Sequence, residues 1–148
     1  LDISFNSIIR LNENIFSGLY NLEELNLSKC SLQIIEFNAF KDLVKLKSID
    51  LSFNDLNFVS ENMFQKLTFL KRLNLKGNKI DFVENYSFKQ MKSLEILDLS
   101  FNNIEFISNN LLTGLNNLRE LDLTCNKILI STIEPYALRK LIKLEQLN

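Results

Sequence analysis

The stretch Leu94–Asn117, LEILDLSFNNIEFISNNLLTGLNN, decides the fold. Leucine or isoleucine falls at Leu94, Leu97, Leu99, Ile104 and Ile107, with Asn102 set among them. Shifted back by 24 residues, the pattern returns as Leu70, Leu73, Leu75, Asn78, Ile80 and Val83, followed by Phe88 and Met91. Shifted again it reads Leu46, Ile49, Leu51, Asn54, Leu56, Val59, Phe64 and Leu67. A fixed period of this length means stacked coils, each a unit that cannot bury its apolar face alone.

Residues 1–21 keep Leu1, Ile3, Asn6, Ile8, Leu11, Phe16 and Leu19 but lack the first third of a unit. Units at 22–45, 46–69, 70–93 and 94–117 follow without insertion, with Cys30 in the Asn slot of the first of them. The sixth, 118–143, runs to 26 residues; its two extra residues fall around Ile128–Ile133, where the coil should bulge. Residues 144–148 begin another unit. The whole of 1–148 thus reads as one array, without linker or low-complexity tract. Both ends would expose leucines where an array needs polar terminal units, so the expectation is a piece of a longer array.

Within one unit, Leu97-Asp98-Leu99 alternates with the period of two of a short strand, leucines inward and aspartate outward. Stacked units pair these strands into a parallel sheet on one face. Asn102 turns the chain, and its amide is expected to bond the backbone of the next coil, which explains a polar residue among leucines. The same role falls to Asn6, Asn54, Asn78 and Asn126. The return leg is too irregular for a long helix and ends in an apolar plug: Phe16, Phe40, Phe64, Phe88, Leu112 and Leu138. Such an inward column reads as core rather than as a cofactor box.

Composition excludes several functions. The net charge is −1, from 17 basic and 18 acidic residues, so no strong field favours nucleic acid or a membrane surface. No apolar run approaches the ~18 residues of a membrane span. With no histidine, there is no Ser-His-Asp or Cys-His arrangement and no histidine metal site. Gly18, Gly77 and Gly114 are scattered, so no phosphate-cradling loop exists. The recurring Asp50, Asp98 and Asp122 read as a solvated column. No catalysis, cofactor or metal is expected.

Cys30 and Cys125 lie four units apart, roughly 20 Å at about 4.8 Å per strand, whereas a disulfide needs Cα atoms within about 7 Å. They do not pair with each other. Cys30 should behave as a small buried hydrophobe; Cys125, at a strand's outward end, is open to a free or an intermolecular thiol.

Stretches such as LKSIDLSFNDLNFVSENMFQKL and LKRLNLKGNKIDFVENYSFKQM resemble the typical 24-residue class of animal extracellular leucine-rich repeats. The LDLSFN variant, with abundant Phe, Ile, Asn and Lys, is similar to repeats of Toll-type receptor and chaoptin-like ectodomains. The resemblance covers essentially the whole chain. It implies an α/β solenoid: a horseshoe with a parallel β-sheet on the concave face and irregular or short helical turns on the convex face. It also implies binding on the concave sheet and an extracellular or cell-surface location. Departures are the absence of cysteine-rich caps, a frequent proline that is missing, and the irregular sixth unit.

Two N-glycosylation sequons occur, at Asn26 and Asn85. A glycan on Asn26 would obstruct the sheet, whereas Asn85 on the return leg has room, so Asn85 is the expected acceptor. On the sheet, Lys47, Lys71, Arg72 and Lys76 make a basic patch at mid-array; with Asp50 and Asp98 they form the candidate concave binding patch, suited to a carboxylate-rich partner or a sulfated glycan. The competing reading is a mixed solvated surface. Phe5, Phe53 and Phe101 end every other strand, alternating with Lys29, Gly77 and Cys125, so that large rings lie beside smaller or flexible neighbours. Phe58, Phe82 and Phe106, joined by Ile34, form a column that alternation leaves partly exposed. It is either an apolar contact strip, open to self-association, or a row packed against adjacent coils.

Together these readings describe a non-enzymatic recognition module, part of a receptor ectodomain such as a Toll-like innate-immune or developmental signalling receptor. Its expected partner is a protein ligand or co-receptor, with a glycan as the other candidate, and neither nucleic acid nor membrane contact by this segment. A secreted or tethered adhesion or matrix scaffold is the first alternative; an intracellular adaptor is the second.

Overall fold

The computed structural model describes all 148 residues, Leu1–Asn148. Ten short strands follow one another: β1 (Arg10–Leu11), β2 (Glu24–Asn26), β3 (Ile34–Ile35), β4 (Ser48–Asp50), β5 (Phe58–Val59), β6 (Arg72–Asn74), β7 (Phe82–Val83), β8 (Ile96–Asp98), β9 (Glu120–Asp122) and β10 (Gln146–Leu147). There is no α-helix, and one 3-10 turn spans Ile130–Thr132.

The strand of each unit joins one parallel sheet in the order β2-β4-β6-β8-β9-β10. The step between paired residues is one repeat: Leu25 lies opposite Ile49, Ile49 opposite Leu73, Leu73 opposite Leu97, and Leu97 opposite Leu121. The central residue of each of these strands is buried while its neighbours face out, as alternation requires. The last step is longer, with Leu121 opposite Leu147. The isolated bridge Ile107–Ile133 has the same longer step. The two extra residues of the sixth unit are therefore taken up before Ile133, in the 3-10 turn, which leaves Ile130 91% exposed. The expected bulge is there.

A second set of strand pairs, β1–β3 and β5–β7, runs along the return leg. Two-residue strands are below what periodicity can detect, and the sequence reading had only irregular turns there. Inside, 36 buried residues form one continuous column. Phe16, Phe40 and Phe64 stack with ring centroids 6.0 Å apart and nearly parallel planes. Phe88 and Leu112 continue the column; Leu138, expected in it, is only partly buried and packs against its end. The coil step is thus 6.0 Å at the phenylalanine column but about 4.8 Å between strands. A stack wider at its back than at its sheet must curve with the sheet inside, so the sheet is the concave face.

The asparagine slot corrects one expectation in direction. Asn54 Nδ2 donates to Leu27 O at 2.8 Å and Leu51 O at 2.9 Å; its Oδ1 accepts from the N–H groups of Cys30 and Leu32, each at 2.9 Å. The coil reached is the preceding one, not the next. Asn78, Asn102 and Asn126 repeat this, reaching Leu51 O, Leu75 O and Leu99 O. At the C-terminal end of the strand the N–H groups donate forward, as Leu27 N–H does to Asp50 O at 2.8 Å and Lys29 N–H to Ser52 O at 2.9 Å. Leu27 O at the strand end needs a donor from the following coil, and Asn54 supplies it. Asn6 Nδ2 donates to Ile3 O and Ser4 O within its own turn.

Cys30 is buried, as expected, but it is more than a small hydrophobe. Its Sγ lies 3.2 Å from Ile3 O, in the place of the asparagine donor. A thiol offers no equivalent of Oδ1. Ile8 N–H therefore donates to Cys30 O at 2.8 Å, and Ser31 takes φ +58° beside it, which none of Asp55, Lys79, Asn103 and Lys127 does at the same slot.

Candidate binding surfaces

The residue immediately before each slot position, from Phe5 to Cys125, has its own requirement. Phe5, Lys29, Phe53, Gly77, Phe101 and Cys125, which the sequence placed at strand ends, all occupy the left-handed region, with φ between 53° and 65°. Here the chain leaves the strand for the asparagine turn. Gly77 is needed twice over, since a Cβ there would sit 2.6 Å from the Phe53 ring. The large ring and the small neighbour do pack, as the alternation suggested. Lys29 Nζ lies 4.6 Å from the Phe5 ring centroid and 5.5 Å from that of Phe53; Lys76 Nζ is 5.1 Å from Phe101.

On the concave sheet, Glu24, Ser48, Arg72, Ile96, Glu120 and Gln146 form one outward row in register. Beside it, charges pair between adjacent coils: Lys47 with Glu23 at 2.7 Å, Lys71 with Glu95 at 3.1 Å, and Arg119 with Glu145 at 3.0 Å. The four basic residues read from the sequence do share this face. Two of them are neutralised, however, and Lys76 rests on Phe101, so Arg72 is the one that makes neither an ion pair nor a ring contact. Pairing across coils could not be read from a single unit.

Asp50 and Asp98 also face outward, in register with Asn74 and Asp122. One carboxylate oxygen of each is spent on the turn: Asp50 Oδ1 accepts from Ser52 N–H at 2.8 Å, and Asp98 Oδ1 from Ser100 N–H at 2.9 Å. At Asp2 the matching bond from Ser4 N–H, helped by the Ser4 hydroxyl and the Asn26 amide, holds the carboxyl below its usual pKa. A wholly polar cleft of about 280 Å³, between Lys71, Ser93, Glu95, Asn117, Arg119 and Lys143, borders the sheet. Sequence reading missed it, because its residues come from three coils.

The sequons differ as expected in surroundings. Asn26 Nδ2 donates to Asp2 Oδ2 at 3.1 Å and its Oδ1 accepts from Ser28 N–H at 3.0 Å, so its amide is held at both ends on the sheet. Asn85 is exposed on the return leg, with its Oδ1 accepting from the Ser108 hydroxyl and Nδ2 making no bond. The column Ile34, Phe58, Phe82, Phe106 is 37, 44, 60 and 50% exposed. These side chains are about half-buried. Cys125 is exposed and Cys30 buried, and both thiols are free.

A buried column that repeats without change, beneath outward rows that change from coil to coil, defines the class: a solenoid scaffold for recognition. The chain belongs to the leucine-rich repeat family. The family model described as "Leucine rich repeat" matches residues 1–56, 35–80, 45–104, 68–128 and 96–148. No curated protein matches the chain. Over its full length it is similar to a chain of the TLR13–ssRNA13 complex, with 34% identity and a TM-score of 0.95, spanning 21% of that chain. Over 86% of its length it is similar to a chain of the glycosylated Toll–Spatzle complex of Drosophila, with 31% identity and a TM-score of 0.77, spanning 19% of that chain. It thus corresponds to about a fifth of either relative.

Proposed function

We propose that this chain is part of a Toll-type receptor ectodomain that faces the outside of the cell and binds a protein ligand or co-receptor on its concave sheet. The observation that carries this reading is the 34% identity to a Toll-like receptor, sustained over the whole segment at a TM-score of 0.95. The chemistry of the face agrees with it. Around Arg72 and Ile96, ion pairs and turn-bonded carboxylates present mixed charge with one aliphatic side chain, which suits a polar protein surface. Lys47, Lys71, Arg72, Lys76, Asp50 and Asp98 are the proposed contacts. No residue set for catalysis exists, so the role is recognition and not turnover.

A second reading, nucleic acid, draws on the ssRNA in the complex of the TLR13 relative. Affinity for a phosphate backbone grows with the number of unpaired cations facing it. Here Lys47 and Lys71 are paired to glutamates, and Asp50, Asp98 and Asp122 share the face. Protein is the favoured partner.

Labelling intact cells that express the full-length protein with a membrane-impermeant amine reagent tests the reading. Exposed Lys47, Lys71 and Lys79 should be modified without permeabilisation. Modification only after permeabilisation would contradict the receptor reading and favour an adaptor. Anchored label without signalling on any ligand, by contrast, would favour an adhesion scaffold. Tight, salt-sensitive binding of a single-stranded RNA oligonucleotide would replace protein by nucleic acid.

A further inference from the structure

Charge is unevenly spread along each coil, and the imbalance coincides with exposed aromatic surface. The four segments 31–37, 55–61, 79–85 and 103–109, which carry Ile34, Phe58, Phe82 and Phe106, hold six acidic residues and one basic residue, Lys79. Of the chain's 18 acidic and 17 basic residues, that leaves 12 and 16 elsewhere. This face is the acidic side of an otherwise slightly basic molecule. Glu36 is neutralised by Arg10 at 2.8 Å and Asp55 by Lys79 at 2.6 Å. Glu61, Asp81, Glu84 and Glu105 make no ion pair, and all four are exposed. Between them runs the row of half-open rings, in which Phe58 and Phe82 are register partners. A cleft of about 450 Å³ beside Ile34 and Phe58 deepens one end.

We propose that this strip docks a cationic amphipathic helix of a partner protein. Apolar side chains at i, i+4 and i+8 of a helix rise about 6 Å per step. The coils of this solenoid advance 6.0 Å at the phenylalanine column and about 4.8 Å at the sheet. The strip lies between them, so such a helix can seat one apolar residue per coil on Phe58, Phe82 and Phe106. Its lysines or arginines then reach Asp81, Glu84 and Glu105, and the ring faces add cation–π attraction. A second copy of the chain would set acidic rim against acidic rim, and an anionic bilayer would be repelled. The occupant is therefore neither. This surface is distinct from the concave sheet, and the proposal does not depend on what binds there.

The test is fluorescence anisotropy of the chain with a labelled leucine–lysine helical peptide, leucines at i, i+4 and i+8, against a leucine–glutamate peptide of identical pattern. Titrations are run before and after enzymatic removal of N-glycans, because Asn85 borders the strip. The lysine peptide should bind about tenfold or more tightly than the glutamate peptide. Phe82→Ser/Phe106→Ser and Asp81→Lys/Glu105→Lys should each weaken it about tenfold, while Arg72→Glu leaves it unchanged. All these side chains are exposed, and a retained cooperative thermal transition confirms that the variants fold. Binding that survives loss of the rings would reduce the strip to simple charge attraction and overturn the proposal. So would equal binding of both peptides, no binding of either, or dimerisation abolished by the ring substitutions.

Discussion

Asn54 Nδ2 donates to the Leu27 carbonyl, one coil back, at 2.8 Å, and this bond closes a strand end that no backbone group can reach. The same amide accepts from Cys30 and Leu32 and donates within its own coil to Leu51. Removing the side chain would leave three buried backbone groups, Leu27 O and the N–H groups of Cys30 and Leu32, without partners, each costing about 1–3 kcal/mol. Asn54→Ala should therefore lower stability by about 3–5 kcal/mol in urea unfolding. In the 148-residue chain, Asn6→Ala, at an exposed turn whose amide bonds only Ile3 O and Ser4 O, should change it by less than about 0.5 kcal/mol.

Ser31 stands in the left-handed region because Cys30 offers no amide oxygen. Ser31→Gly should relieve that strain and stabilise the chain by about 1 kcal/mol. In a Cys30→Asn background the turn can revert to the form of the other coils, and the glycine should then bring no gain. A thermal-unfolding double-mutant cycle reads the difference directly.

Gly77 faces two constraints that can be separated. Gly77→Ala should cost about 2 kcal/mol, from the positive φ and from contact with the Phe53 ring. Combining it with Phe53→Ala removes the contact and should recover about half of the loss, again by thermal unfolding.

The two thiols should differ in chemistry as they do in burial. In the native protein an aromatic disulfide reagent should titrate Cys125 rapidly and leave Cys30 unreacted until the chain unfolds. Two fast thiols in the native state would show that the second coil opens readily.

The phenylalanines divide by position. Phe40→Ala removes a fully enclosed member of the stacked column and should cost about 3–5 kcal/mol. Phe58→Ser, on the open strip, should cost about 1 kcal/mol or less in the same urea titration.

Much of this was legible because the repeat states it five times over. The inward leucines, the asparagine slot, the phenylalanine column and the bulge before Ile133 all follow from a period and its one interruption. The left-handed turn at Phe5, Phe53 and Phe101 was not, since phenylalanine is no signal for positive φ and only Gly77 hinted at it. The direction of the Asn54 amide depends on which coil has the unpaired carbonyl, a property of the stacked sheet. Likewise the basic patch looked unopposed in sequence because Lys47 and Glu23, or Lys71 and Glu95, meet only when coils stack. For the binding surfaces, the sequence supplied the outward rows, and the structure supplied which of their charges are already spoken for.

Glycan occupancy at Asn85 and Asn26, by mass spectrometry of the protein from its native source, tests the receptor reading most directly. The account predicts sugar on Asn85, whose Nδ2 is unbonded, and none on Asn26, whose amide is tied to Asp2 and Ser28 on the concave sheet. Sugar on Asn26 would contradict binding at that sheet. Bare asparagines at both sites, with Cys30 and Cys125 reduced, would contradict the extracellular receptor itself.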